Sequence, residues 1–316
     1  MTERFAVGSS PHIHAPLDTQ KIMAWVLASL LPAGAAGVWF LGSSSLAVIA
    51  TCVIVCVGSE FLWQRLAGQR VTVSDLSAAV TGLLLAYNLP PTIPLWMAAC
   101  GAVFAIVVVK QFFGGIGGNI MNPALAARAM MLISWPVAMT SWSLDGVSTA
   151  TPLAAMKVLS GAGASAASAP PWSTTDLLLG NVGGCIGETS AALLLLGGAF
   201  LVWQEVISWR IPVVYTLTAA LLAALLRHGG GMMPLQEALT GGLLLGAIFM
   251  ATDYTTSPMT ARGQVVFAVG CGVLTALIRR FGGYPEGVSY SILIMNATVP
   301  LIDRVTKPRI LGEVRR

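Results

Sequence analysis

The residues best equipped for chemistry cluster in DGVSTATPL (145–153). Asp145 is followed by three hydroxyls, Ser148, Thr149 and Thr151. Thr151 stands between a small residue, Ala150, and Pro152. A threonine hydroxyl can attack a phosphoanhydride once an enzyme activates it. The product is a phosphate ester, through which a nucleotide could be tethered. The same residues also spell a helix start, with Ser148 as N-cap and Pro152 in the first turn. From the residues alone both readings stand.

A second group lies in GGIGGNIMNP (114–123). Glycine turns let backbone approach a ligand closely. Asn119 and Asn122 fall about one turn apart at the start of an apolar run, where an amide needs a partner or serves as a cap. Ionisable groups at membrane depth are costly and often functional. Arg128 lies within that run, as a charge for a ligand or a paired structural arginine. Glu60, Glu188, Asp253 and Asp303 sit at segment ends. Glu188 and Asp253 are candidate ion-pathway carboxylates, or interfacial structural groups. His12 and His14 form His-x-His on a polar tail that reads as solvated rather than metal-binding. The five cysteines form no Cys-x-x-Cys pair, so they suggest neither a zinc site nor a disulfide framework.

These residues must be held by apolar helices. Of 316 residues, 56% are hydrophobic and 9% charged. A soluble domain carries about 25% charged residues, so the chain reads as an all-α polytopic membrane protein. The net charge of +4 is spread along the sequence and gives no nucleic-acid footprint. About ten spanning segments are expected from the need for roughly twenty apolar residues, fewer in broken helices. They are approximately 22–42, 46–63, 76–89, 93–109, 119–139, 181–203, 211–226, 238–251, 264–279 and 288–303. No cleavable signal peptide is visible. Residues 140–180 form the one long connection.

Ten segments place both termini on one side. With cytoplasmic termini, the inside cations are Arg4, Lys21, Arg65, Arg70, Lys110, Arg210, Arg262, Arg304, Lys307, Arg309, Arg315 and Arg316. The outside cations are Lys157, Arg227, Arg279 and Arg280, with Arg128 left inside a segment. The bias places the 140–180 connection on the outer, periplasmic face.

The halves resemble each other. VTGLLLAYNLPPTIP (80–94) is similar to LTGGLLLGAIFMATDYTTSP (239–258), and FFGGIGGNIMNPA (112–124) to RFGGYPEGVSYSILIMNATVP (280–300). The third segment thus pairs with the eighth and the fifth with the tenth. A five-helix unit reverses orientation on repetition, so the expectation is two inverted repeats, 1–139 and 181–316, joined by the outer loop 140–180 in a single membrane domain 1–316. Short helices at matching positions point to a binding site at the repeat interface.

Six stretches carry a family resemblance in order: SPHIHAP (10–16), GGIGGNIMNPALAARAM (114–130), DGVSTATPL (145–153), GGCIGETSAALLLLGG (183–198), ATDYTTSPMT (251–260) and GGYPEGVSYSILIMNATVPLID (282–303). They resemble the RnfD family, the D subunits of the Rnf electron-transport complex. That family is similar to the B subunits of the sodium-pumping NADH:quinone oxidoreductase. The resemblance implies FMN esterified through its phosphate to Thr151, the last threonine of Ser148-Thr149-Ala150-Thr151. Thr149 stands where the family usually has glycine. Asp145 matches the acid that a flavin transferase reads. The resemblance also implies a non-covalent riboflavin, to which Asn119 and Asn122 would contribute, with Thr252 or Asp253. Arg128 would then neutralise charge on the reduced ring.

The implied function is electron transfer between ferredoxin and NAD, coupled to Na⁺ or H⁺ transport, in the bacterial inner membrane. The chain has no dinucleotide-binding fingerprint and no iron–sulfur motif. It would therefore be one part of a translocase, in membrane lipid, beside the flavin-carrying G subunit and the A, E and C subunits of the Rnf complex. A flavin transferase would serve its maturation. A different reading is a channel or transporter with inverted repeats and no redox role. A different use of the same complex is to keep a redox-sensing regulator reduced.

Overall fold

The computed structural model describes residues 18–144, 147–148, 151–155, 172–180, 182–226, 234–283 and 287–307. The protein is an all-α polytopic membrane protein. Its principal helices are α1 (Thr19–Leu41), α2 (Ser43–Leu66), α3 (Ser77–Tyr87), α4 (Leu95–Val103), α5 (Pro123–Ser134), α6 (Ala191–Trp203), α7 (Arg210–Leu225), α8 (Leu243–Leu245), α9 (Ala261–Phe281) and α10 (Val288–Thr306). Two of them continue as π-helix, α4 through Phe104–Gln111 and α8 through Gly246–Met250. Among the described residues the one β pairing is a two-residue ladder, β1 (Ser143–Leu144) with β2 (Val147–Ser148), antiparallel.

Length and composition make α1, α2 and α9 able to cross a membrane; α3, α5, α6 and α7 are shorter apolar helices. The outer helices expose large apolar side chains such as Trp39, Ile54 and Val305. That is the expected face toward lipid, where no water rewards their burial. α3 and α8 are the opposite case. Apart from Ala79, every residue of α3 is buried, and Leu243–Ala251 is buried throughout. A helix apolar on all sides belongs in the centre of a bundle. These are the two short segments that the sequence matched to each other.

Packing follows a repeated scheme. α2 packs on α3 and α4, and α4 on α5; α7 packs on α8 and α9, and α9 on α10. Across the halves α1 meets α6 and α5 meets α10. Small residues permit the closest crossings: a Cβ at Gly82 of α3 would lie 2.8 Å from the Cys52 carbonyl of α2.

Three expectations need correction. The segment expected at 119–139 is not one helix. Asn122 caps α5, Pro123 occupies its first turn, and the helix stops before Pro136, where a four-residue helix (Pro136–Met139) begins. The segment expected at 238–251 breaks after the short helix Pro234–Leu239, because Gly241 and Gly242 adopt φ of +67° and +63°. Lys110, counted with the flanking inside cations, is instead buried in an ion pair with Glu60. The inside count falls by that one residue and the bias keeps its sign.

Candidate functional site

The central helices leave a cavity of about 330 Å³ between them. Its apolar walls include Val26 of α1, Leu84 of α3, Leu201 of α6, and Ile248 and Phe249 of the π-turn after α8. Its polar lining includes Ser77, Thr81, Lys110, Asn119, Asn122, Thr252, Asp253 and Thr255. An apolar pocket of this size with a few convergent polar groups is the usual form of a small-molecule site.

Local structure explains each polar group. The glycine turn 114–118, with positive φ at Gly114, Gly115 and Gly117, leads the chain back toward the bundle after α4. Asn119 follows it, and its buried Oδ1 has no hydrogen-bond partner. A buried acceptor left unmatched costs about 1–3 kcal/mol, so a donor in the cavity would be accommodated there. Asn122 is committed. Its Oδ1 accepts from the backbone N–H of Ala124 (3.1 Å) and Leu125 (3.3 Å), and its Nδ2 donates to the Met250 carbonyl at 3.3 Å. Asn122 therefore shapes the wall by capping α5 and joining it to the end of α8. The amide of Asn296 in α10 completes this joint. With the amide turned so that each atom meets a complementary partner, its oxygen accepts from the Asn122 N–H at 3.2 Å and its nitrogen donates to the Thr256 carbonyl at 3.1 Å.

Asp253 sits in the turn beyond α8, outside the expected spans. Its Oδ2 accepts from the hydroxyls of Thr255 (3.0 Å) and Thr256 (3.1 Å). Burial raises its carboxyl above the ordinary value, while those hydrogen bonds and the charge of Lys110 act in the other direction. Lys110 ends the π-turn of α4 and is 2% exposed, paired at 2.7 Å with Glu60, which is 1% exposed. Ser77 Oγ accepts from the same ammonium at 2.6 Å, and Gln111 Nε2 donates to Glu60 Oε1 at 2.7 Å.

The structure thus brings Asn119, Asn122, Thr252 and Asp253 to one cavity, and among the described residues Arg128 and Thr151 lie outside it. Arg128 does not line it. The guanidinium is buried in α5, where Nη1 donates to Asn88 Oδ1 (3.1 Å) and Ser289 Oγ (3.0 Å) and Nη2 faces Cys185 Sγ at 3.6 Å. It ties the end of α3 to the start of α10. Thr151 is also outside the cavity and is 4% exposed. Its Oγ1 accepts from the Ala154 N–H at 3.2 Å, so Thr151 caps the helical turn 152–155 with Pro152 as its first residue. The helix start expected here is thus capped at Thr151, not at Ser148. The next residue but one, Leu153, lies under the turn at Gly241, where a Cβ would fall 2.0 Å from Leu153 Cδ1. Ser148 belongs to β2, its backbone paired with Ser143. Asp145 and Thr149 lie outside the described residues.

Comparison with known proteins decides the family. The sequence matches the NQR2, RnfD, RnfE family over residues 6–312. The chain belongs to that family. Relatives of this family member include the D subunit of the Na⁺-translocating ferredoxin:NAD⁺ oxidoreductase complex of Acetobacterium woodii, 51% identical over 97% of this chain and 95% of that one. The D subunit of the proton-translocating ferredoxin:NAD⁺ oxidoreductase complex of Clostridium ljungdahlii is 44% identical over 98% and 97%. The D subunit of the ion-translocating oxidoreductase complex of Salmonella typhimurium is 38% identical over 98% of each chain.

Sequence reasoning missed Lys110, Ser77 and Asn296 in this NQR2, RnfD, RnfE family member. For Asn296 a signal existed. Met295-Asn296 was the repeat partner of Met121-Asn122, and the two asparagines meet directly. Lys110 looked like a flanking cation because a π-turn, which turns it inward, leaves no mark in hydropathy.

Proposed function

We propose that this chain is the membrane-embedded D subunit of an ion-translocating complex that moves electrons between ferredoxin and NAD, coupled to Na⁺ or H⁺ transport. The observation that carries the reading is the end-to-end match to relatives of that name, 51% identical over 97% of this chain. It acts as one part of the complex, beside the A, C, E and G subunits, in the bacterial inner membrane with both termini cytoplasmic. Helices α1–α5 and α6–α10 form two inverted repeats. The matched packing of α2 on α4 and α7 on α9 supports this, as do the contacts of α1 with α6 and α5 with α10.

In this reading the chain carries two flavins, one at each chemical site. A bound flavin supplies one- and two-electron transfer. Thr151 holds FMN as a phosphoester on the periplasmic side, with Asp145 and Ser148 in the motif that the transferase reads. The cap supports the fit, since an esterified Oγ1 keeps a lone pair and phosphate oxygens are stronger acceptors for the Ala154 N–H. Because the hydroxyl is buried, the transferase acts before residues 151–153 dock beneath Gly241.

The cavity holds the non-covalent riboflavin. Its fit rests on the orphaned Asn119 Oδ1, which offers an acceptor, and on Lys110, which offers a donor. Leu84, Ile248 and Phe249 would exclude water from a bound flavin. Arg128 acts through position instead, tying the end of α3 to the start of α10.

Covalent attachment is tested on a denaturing gel. Protein made with its flavin transferase fluoresces yellow-green under ultraviolet light, and Thr151→Ala abolishes the band. A colourless wild-type band would sink the covalent-flavin reading and favour a transporter without redox chemistry.

A further inference from the structure

The buried Lys110 is joined through Ser77 to half-buried Asp75, and the proposed function uses neither residue. Its ammonium donates to Ser77 Oγ at 2.6 Å, and the Ser77 hydroxyl donates to Asp75 Oδ1 at 2.6 Å. Both contacts are short, as charge-assisted bonds are. The Ser77 backbone N–H donates to the same oxygen at 2.8 Å and fixes the carboxylate. Leu76 between them takes φ of +63°, a conformation uncommon for a residue with a side chain. That backbone turn is what aims both Ser77 donors at Asp75. Asp75 is half-buried in the connection from α2 to α3, beside exposed Ser74 and on the side that carries exposed Arg65 and Arg70.

We infer that Asp75, Ser77 and Lys110 form a proton relay between that aqueous face and the cavity. An ammonium has three N–H donors. Glu60 Oε1 and Ser77 Oγ take two, and among the described residues the third has no partner while Lys110 lines the cavity. An acceptor in the cavity that gains electrons from the oxidoreductase reaction takes this third proton. The Nζ–H bond breaks and an acceptor–H bond forms. Once Asp75 takes a proton from water, the Ser77 hydroxyl turns from Asp75 toward the Lys110 amine. Ser77 then passes its proton to the amine as it accepts the proton of Asp75, which leaves its new O–H donating to the Asp75 carboxylate as at rest. One proton has moved from the aqueous face into the cavity for each electron it neutralises, and oxidation reverses the path. Glu60 pairs with Lys110 at 2.7 Å and its Oε2 is buried without a partner, so loss of the Lys110 proton leaves a buried carboxylate uncompensated. The other groups around Lys110 are Gln111, the Cys56 thiol of α2, and Asp253 of the cavity lining.

The inference rests on the cavity holding a flavin, and the test separates the two. Use the complex carrying Thr151→Ala, so that the non-covalent flavin is the one read in this chain, and measure that flavin by extraction. Reduce the protein rapidly in weakly buffered solution and follow proton uptake with a pH indicator. Ser77→Ala should slow uptake on the order of a hundredfold, the low end of what positioned acid–base groups contribute. Uptake is compared per bound flavin in every variant, and Ser77→Thr, which keeps the hydroxyl, should restore the rate. Asp75→Asn, which keeps the Ser77 hydroxyl, should slow uptake as well and stands in if Ser77→Ala does not accumulate. Wild-type rates in Ser77→Ala or Asp75→Asn with flavin present would overturn the relay alone. Wild-type complex without extractable flavin in this chain would overturn the cavity reading and the relay with it.

Discussion

The Lys110–Glu60 pair gives the most quantitative test of how this bundle is built. Both side chains are almost wholly buried, 2.7 Å apart, with Gln111 and Ser77 as their remaining polar neighbours. Lys110→Met leaves the Glu60 carboxylate in the bundle with the Gln111 amide alone. Removing one partner of a buried pair costs about 3–5 kcal/mol, because the other charge is left uncompensated. Replacing both by apolar residues of similar size is about neutral, or stabilising by up to about 4 kcal/mol. At about 2–4 °C per kcal/mol for domains of 150–250 residues, the single variant should melt about 6–20 °C below wild type.

The assay is thermal unfolding in detergent of wild type, Lys110→Met, Glu60→Leu and the double variant. Each sample is heated at one scan rate, since such transitions are often irreversible and rate-dependent. The double variant should recover most of either single loss, a coupling of opposite sign to the single effects. Two results would refute the reasoning. One is a Lys110→Met midpoint within a degree of wild type, which would mean that water reaches the pair. The other is a double variant less stable than both singles, which would mean that the two groups contribute independently.

Other perturbations test other joints. A Cβ at Gly187 would lie 2.4 Å from Tyr87 Cβ, at the contact between the loop before α6 and the end of α3. Gly187→Ala should therefore lower stability by about 1–3 kcal/mol, the usual cost of overpacking, read as a lower midpoint in the same assay. Asn122→Ala should lose about 1 kcal/mol of capping as well as the bond to Met250, whereas Asn122→Asp keeps the cap; a double-variant comparison with Asn296→Ala should show coupling between these two positions. For Asp253, burial raises the carboxyl pKa above the unfolded value. Its contribution is then complete below the unfolded pKa and is lost as pH rises through the folded one. Asp253→Asn should consequently melt higher than wild type at neutral pH, with the difference closing as the pH falls toward the ordinary carboxylate range.

Much of this architecture is legible in the sequence, and what is hidden has specific causes. Hydropathy finds the apolar runs, since lipid-facing helices expose apolar side chains just as core helices bury them. For that reason it cannot separate α3 and α8, central on every side, from α1 and α2 at the rim. Length does better: the two shortest runs are the central ones. The break in the fifth segment was written in Asn122-Pro123, a cap followed by a first-turn proline, but an apolar window runs through it unchanged. Lys110 was invisible for a different reason. Its partners Glu60 and Ser77 are distant in sequence, and a lysine at the end of an apolar run looks like an anchor until the fold supplies a carboxylate. The repeat was the most informative weak signal. It paired Asn122 with Asn296 on a shared Met-Asn. In the structure the two residues meet, the Asn296 amide 3.2 Å from the Asn122 backbone N–H, and Asn122, though not Asn296, lines the cavity. A likeness read along the chain therefore marks a joint at the wall of the site.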